Sequence, residues 1–456
     1  MRLDRRRLFA AIAGAAGTAA ASDANAAVTP AAAIAPHAEI DATALGLRPN
    51  AAEDQTQVFQ RAIDQAAAAR AVLRLPAGFY RAGGLQLPSH TALAGVAGAT
   101  RIVTSGAASM MAAAGSDHVS LSGLILDGAG IPLPPKRGLL HFAQGRSLRI
   151  AACDIVNAGG NGIALEGIEG EVTATAIVAA DNAIVSIDAR GLRIVGNTVR
   201  GAGNGGILVW RTSPGDDGTL VADNRIDGIA NKAGGSGQYG NAVNIFRANN
   251  VIVRGNRISN AAFSAVRGNA ASNLQIVGNT CTSVGEVALY AEFGFEGALI
   301  ASNIVDGAAI GVSVTNFKEG GRLAVVQGNI IRNLVDRRPP GTDPNDSAGI
   351  GIGIEADTTV NGNVVENVPY AGIAAGWGAY LRDVAITGNV VRETDFGIAV
   401  SVAPGAGSAV IANNIVANAR LGAIVGMERT KLIASDLDRT GATRYAQLSI
   451  AGNSVR

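Results

Sequence analysis

The stretch Val384-Ala385-Ile386-Thr387-Gly388-Asn389-Val390-Val391 carries the pattern on which the fold turns. Two alternating apolar residues lead into Gly-Asn, and an x-Val/Ile pair follows. The phrase recurs as Gly196-Asn197-Thr198-Val199, Gly255-Asn256-Arg257-Ile258, Gly278-Asn279-Thr280-Cys281, Gly328-Asn329-Ile330-Ile331, Gly362-Asn363-Val364-Val365 and Gly452-Asn453-Ser454-Val455. Asp223-Asn224, Ser302-Asn303 and Asn413-Asn414 fill the same slot, and Asp154 and Thr175 read as degenerate earlier copies. The spacings between successive Asn residues fit a basic coil of about 23–26 residues with insertions. About ten residues after most of these Asn positions comes a second phrase, Gly/Ala-Ile/Val-x-Val/Ile, as in Gly206-Ile207-Leu208-Val209, Gly311-Val312-Ser313-Val314 and Gly397-Ile398-Ala399-Val400.

Period-two alternation in runs this short is a strand signal. A corner between two such strands needs a residue that accepts a positive φ, and Asn and Gly do so. Identical Asn residues on successive layers can hydrogen-bond as a ladder. One coil cannot bury its apolar face alone, but stacked coils can. A leucine-rich repeat would show a Leu consensus, and a propeller blade about 40 residues with aromatic marks. The pattern therefore predicts an all-β solenoid, a single-stranded parallel β-helix with an N-terminal capping helix. The ladder is expected to hold its Asn residues at left-handed corners.

Composition agrees. Of 456 residues, 48% are apolar, 4% aromatic and 16% charged, and glycine occurs 60 times. An ordinary globular domain carries about 25% charged residues. Thin stacked layers tolerate such poverty in charge and aromatics. A net charge of +1 gives no basis for nucleic-acid or acidic-membrane binding.

The first residues read as a targeting segment. Asp4-Arg5-Arg6-Arg7-Leu8-Phe9 has the form of a twin-arginine export signal; an apolar run and the cleavage pattern Ala24-Asn25-Ala26 follow. The run is shorter than the ~20 residues that span a bilayer. The expected organisation is a signal peptide over 1–26, a flexible linker over 27–49 and one β-helix domain over 50–456, with residues 50–100 as its cap and 101–456 as its coils. The mature protein is expected in the periplasm or secreted, with no membrane attachment after cleavage. Cys153 and Cys281 fall about five layers apart, roughly 24 Å at ~4.8 Å per layer, too far for a disulfide, which needs Cα atoms within about 7 Å. Both read as buried thiols.

Before the coils, Asn50-Ala51-Ala52-Glu53 reads as a capping box. It would open an amphipathic helix to about Arg70, with Val58, Phe59, Ala62, Ile63 and Ala66 on one face. Such a helix would cover the first layer. Asp54-Gln55-Thr56, leading through Phe59-Gln60-Arg61-Ala62-Ile63 to Leu75-Pro76-Ala77-Gly78-Phe79-Tyr80, resembles the N-terminal module of the pectate-lyase-like superfamily. Leu121-Ser122-Gly123-Leu124-Ile125-Leu126-Asp127-Gly128 resembles its first inner coil. Leader and repeats together are similar to a family of twin-arginine-translocated repeat proteins of bacteria. The resemblance spans nearly the whole mature chain and implies a right-handed winding. It implies little about activity, because the fold hosts lyases, hydrolases, epimerases, tailspikes and adhesins.

The motifs of the superfamily's enzymes are missing. There is no Gly-His-Gly and no Asp-Pro-His, and Asp216-Asp217 sits in Ser213-Pro214-Gly215-Asp216-Asp217-Gly218, which reads as a turn. His141 reads as a structural histidine. Gly234-Gly235-Ser236-Gly237-Gln238-Tyr239 resembles a calcium-binding nonapeptide but lacks its Asp, so no cofactor is expected.

What remains is geometry. In the Gly-Ile-x-Val phrase the Ile and Val point inward, so x and the residue after Val point outward. These outward pairs are Ala164 and Glu166, Leu208 and Trp210, Asn244 and Phe246, Arg267 and Asn269, Tyr290 and Glu292, Ser313 and Thr315, Gly353 and Glu355. The middle layers collect aromatic and polar side chains, and the longest inserts (residues 211–218, 230–241 and 335–347) adjoin them. This places a polysaccharide site at Trp210, Asn244 and Phe246, with Arg267, Tyr290 and Glu292 as candidate catalytic groups spread over five adjacent layers.

Two readings follow. In the first the protein is a lyase or epimerase on an acidic glycan: Arg267 clamps a carboxylate and Tyr290 or Lys232 acts as the base. A hydrolase version pairs Glu292 with Glu355. In the second the protein is a non-catalytic carbohydrate-binding or envelope repeat protein. At the C-terminus, the charged stretch 427–447 is expected to fold over the final layers, or self-association to cover them, because an open strand edge is normally blocked.

Overall fold

The computed structural model describes residues 38–456 apart from 236, 343–345 and 436. The expected signal peptide and the first part of the linker lie outside the described residues. The chain winds as a parallel solenoid of about 14 turns. Each full coil contributes one short strand to each of three faces. The first face is a parallel sheet of 16 strands running from Glu39–Asp41 to Leu448–Ala451. The other two faces merge into a second sheet of 27 strands. They join because in the last coils the corner between them is spanned by single long strands, Val364–Ala375, Val390–Ser401 and Ile415–Glu428, bent at irregularities after Val368 and Thr394.

The core is built from columns of identical layers. Val253, Ile276, Ile300, Val326, Val360, Ile386 and Ile411 are consecutive partners on the first face, all fully buried. At about 1.5–3 kcal/mol for each buried aliphatic side chain, these columns are the main source of stability. The third face supplies Ile207 and Val209, Val312 and Val314, and Ile398 and Val400, inward and buried as expected. Its leading glycines have a packing cause. A Cβ on Gly311 would meet Gly351 O at 2.5 Å and Ile331 Cγ2 at 2.4 Å.

The Asn ladder runs unbroken from Asn197 to Asn453 between the first and second faces. In each layer the Asn backbone N–H and Nδ2 both donate to Oδ1 of the next Asn, while Nδ2 also donates to a backbone carbonyl of an earlier coil. For Asn279 these distances are 2.9 and 3.0 Å to Asn303 Oδ1 and 3.0 Å to Val253 O. Every amide is thereby satisfied in the interior. Two expectations are corrected. The left-handed residue is the one before each Asn, such as Gly278 at φ 68° or Asp223 at φ 58°, and the Asn itself is not in that region. The early copy of the slot is Cys153, whose N–H donates to Thr175 Oγ1 at 3.4 Å, and not Asp154. Thr175 N–H in turn donates to Asn197 Oδ1 at 3.0 Å, so Thr175 holds its place.

The cap is a helix over Thr56–Ala68, with Phe59, Ala62, Ile63 and Ala66 against the first layer. The capping box does not form. Asn50 adopts φ 65° and its Oδ1 accepts from Phe79 N–H at 3.1 Å, while Asp54 Oδ1 accepts from Thr56 N–H at 2.7 Å. Residues 38–49, expected within a linker, are instead structured. Glu39–Asp41 pairs in parallel with Val72–Arg74, and Gln55 holds Arg48 by reciprocal bonds to its backbone N–H and carbonyl at 2.8 and 2.9 Å.

At the other end the stretch 427–447 folds back. Lys431–Ala434 pairs antiparallel with the end of Ile415–Glu428, and Leu437 is buried in the core. Among the described residues no helix is long and apolar enough to cross a membrane.

Candidate functional site

The strand register fixes the outward columns of the third face. One column reads His141, Ala164, Val185, Leu208, Asn244, Arg267, Tyr290 and Ser313; the other reads Ala143, Glu166, Ile187, Trp210, Phe246, Asn269 and Glu292. The expected pairs from Ala164 and Glu166 to Tyr290 and Glu292 stand in those columns, whereas Thr315 and Glu355 lie just past the ends of their strands. The candidate residues from Trp210 to Glu292 occupy four layers, not five.

A cavity of about 530 Å³ opens over these layers, lined by Trp210, Gln238, Tyr239, Asn244, Phe246, Arg267, Asn269 and Phe293. Gly237, Gln238 and Tyr239 of the second insert form one wall. Asn244 Nδ2 donates to Gln238 O at 3.2 Å, and Asn241 Nδ2 donates to Gly237 O at 2.9 Å. The turn expected at Ser213–Gly218 is not seen as such: the strand Gly205–Asp216 continues as far as Asp216, with an irregularity after Trp210 before Gly215 rejoins Ala248. Trp210 is consequently half-buried, open to the cavity, and its indole N–H has no partner. The insert 335–347 sends Arg338 beneath the site, where Nη1 lies 3.0 Å from Glu286 Oε1.

Arg267 was expected to be an exposed clamp, and here the structure corrects the reading. Arg267 is only 7% exposed. Its Nε lies 2.6 Å from Glu292 Oε1 and its Nη1 3.5 Å from Glu286 Oε2. Glu292 also accepts from Asn269 Nδ2 at 2.9 Å, and Glu286 from Ser264 Oγ at 3.2 Å. Two arginines and two carboxylates thus neutralise each other within the wall. Burial, opposed by the two arginines, pushes the Glu286 carboxyl above its ordinary range. The Tyr290 ring lies 5.2 Å from the Arg267 guanidinium, and burial pushes its phenol upward, which makes it a poor base at neutral pH.

The other catalytic candidates are no better placed. Lys232 is exposed on its insert and does not line the cavity. Glu355 accepts from Phe317 N–H at 2.6 Å, and Glu292 serves Arg267, so the hydrolase pair is committed to structural bonds. Among the described residues no three His, Cys, Asp or Glu side chains converge as a metal site. The sequence reading missed Tyr239 and Gln238, which enter from an insert, and Phe293, which follows Glu292 at φ 59°. Only their place in or beside aromatic-bearing long loops could have signalled them.

A family model described as a right-handed beta helix region matches residues 214–391. No curated protein matches the chain. Among solved structures, the N-terminal fragment of bacteriophage phi29 gene product 12 superposes with a TM-score of 0.50 at 15% identity, over 91% of this chain and 70% of that one. PfbA, a surface adhesin of Streptococcus pneumoniae, gives 0.47 at 15% identity over 87% and 94%. A mannuronic acid specific family 6 polysaccharide lyase from human gut microbiota gives 0.44 at 10% identity over 91% of each chain. The fold is a right-handed parallel β-helix. At these identities the likeness covers the path of the chain and no more.

Proposed function

We propose that the protein is an exported, polysaccharide-binding β-helix protein of the twin-arginine-translocated repeat kind, and that the Trp210–Phe246 cavity is its glycan site. One observation carries the reading: a protein with 4% aromatic residues gathers Trp210, Tyr239, Phe246 and Phe293 around one cavity with the amides of Asn269 and Gln238. Aromatic faces take the C–H faces of sugars, and amides take their hydroxyls. The indole nitrogen of Trp210 is itself buried, so it is the ring of Trp210 that faces the cavity. Export rests on the Arg5-Arg6-Arg7 leader.

Binding is favoured over catalysis at this cavity because Arg267, Glu292 and Glu286 already satisfy one another. A polysaccharide array containing acidic and neutral glycans tests the reading, with 235 nm absorbance and reducing ends followed in parallel. The expected result is retention of at least one glycan with no new absorbance and no new reducing ends. Retention of none would refute the binding reading, and turnover that survives Trp210→Ala would move the chemistry elsewhere.

A further inference from the structure

A second cavity, of about 470 Å³, lies on the same face nearer the N-terminus. Its floor is small and apolar, with Ala112 and Ala143, and its polar lining is Gln86, Ser109, Arg137, His141 and Glu166. His141 is 7% exposed, and its Nδ1 is buried without a hydrogen-bond partner. Its Nε2 stands 3.8 Å from Glu166 Oε1, beyond hydrogen-bonding distance. Arg137 is exposed and forms no ion pair with another described residue. A buried imidazole nitrogen without a partner is costly unless something uses it, and the exposed Arg137 guanidinium lines the same alanine-floored cavity.

His141 belongs to the column that continues through Ala164, Val185 and Leu208 to Asn244. The two cavities thus share one face. His141 and Asn244 are four layers apart, about 19 Å at ~4.8 Å per layer.

Resting on the glycan reading of the Trp210 cavity, we propose that the His141 cavity is a second subsite for the same chain and that it takes a carboxylate-bearing sugar unit. Arg137 meets the carboxylate, and His141 hydrogen-bonds the ring substituents. Burial and the neighbouring Arg137 hold the imidazole below its ordinary range despite Glu166, so at neutral pH it offers one donor and one acceptor. Arg137 prefers a planar anion such as carboxylate. The alanines leave room for a sugar ring. The two subsites together read charge at one end of a glycan and apolar ring faces at the other.

The test is calorimetric titration of the full chain with oligogalacturonate and oligomannuronate, as trimers and hexamers, and with carboxyl-reduced hexamers. The inference expects an acidic hexamer to bind more tightly than its trimer, and Arg137→Ala to weaken that hexamer at least about tenfold. The carboxyl-reduced hexamer should bind Arg137→Ala as it binds the parent. His141→Asn, which keeps a polar side chain of similar reach, should weaken the acidic hexamer without lowering the melting temperature by more than a few degrees. If Trp210→Ala abolishes binding while Arg137→Ala and His141→Asn bind the acidic hexamer as the parent does, the second subsite is refuted and the first stands. If the parent binds none of these oligosaccharides but retains a neutral glycan of the array, the second subsite is refuted and the Trp210 site stands; if it retains no glycan at all, both fall. A purely structural His141 would alter melting and leave the charge preference unchanged.

Discussion

Arg267 Nε lies 2.6 Å from Oε1 of Glu292, one layer further along the helix, and both side chains are inside the protein. The pair holds two neighbouring strands of the third face together beneath the glycan cavity. Removing one partner of a buried pair leaves the other charge uncompensated, typically at about 3–5 kcal/mol. Arg267→Ala leaves Glu292 buried without its cation, while Glu286 keeps Arg338 Nη1 at 3.0 Å. It should therefore show first as a stability loss of about 3 kcal/mol or more in denaturant melts. Arg267→Ala melting as the parent does would mean the pair is open to water.

The ladder makes a prediction that separates two residues of one corner. Asn279 Oδ1 accepts from Asn256 N–H at 3.0 Å and from Asn256 Nδ2 at 2.9 Å. Asn279→Val leaves the Asn256 N–H buried and unsatisfied, at about 1–3 kcal/mol, and strips Asn256 Nδ2 of one of its two bonds, the one to Val221 O at 3.1 Å remaining. A Cβ at Gly278 meets nothing within 4 Å, so Gly278→Ala bears only the left-handed strain, about 1–2 kcal/mol. Urea melts should rank Asn279→Val as the more damaging. The reverse order would show that backbone strain, and not amide satisfaction, governs the corner.

Both cysteines should be silent toward thiol reagents. Burial pushes Cys153 up to about 11 and Cys281 up to about 12, and both are free thiols. A thiolate is the reactive form. Disulfide-exchange labelling at pH 8 should modify neither residue in the native protein and both in denaturant. Stoichiometric native labelling would show that the layers around them open.

The pH dependence of stability should carry a His141 component. Its folded value is depressed by burial, so the fold binds the neutral form. That contribution is complete above the ordinary value of 6.5 and is lost as pH falls below it toward the depressed value. Glu286 and Glu355 are raised by burial and act in the opposite sense, gaining as pH falls from their raised values toward the ordinary 4.5. Comparing His141→Asn with the parent isolates the His141 term: the variant should lose less stability between pH 7 and 5. Parallel curves would show that His141 titrates as it does in the unfolded chain.

Much of this architecture was legible from sequence because a solenoid repeats its rules. The Asn slot, the inward Ile and Val, and the outward pairs each recur layer after layer, so register followed from counting. The corner conformation was not legible, since Gly, Asp, Ser and Asn all tolerate a positive φ and composition alone does not say which of two adjacent residues adopts it. The role of Arg267 was hidden for a different reason. Its partner Glu286 lies on no outward column, and Arg338 arrives from an insert whose path no periodicity describes. Alternation says which way a side chain leaves its strand, and it does not say what a loop will lay over it.

The central claim is that the Trp210 cavity binds a glycan through its aromatic walls. It is tested most directly by calorimetric titration of a responsive oligosaccharide into the parent, Trp210→Ala and Phe246→Ala, each checked by melting. Neither side chain shares in the Arg267 pair, so both variants should keep the fold. The account predicts at least about a tenfold weaker Kd for each variant, or ~1.4 kcal/mol. Folded variants that bind as tightly as the parent would contradict it.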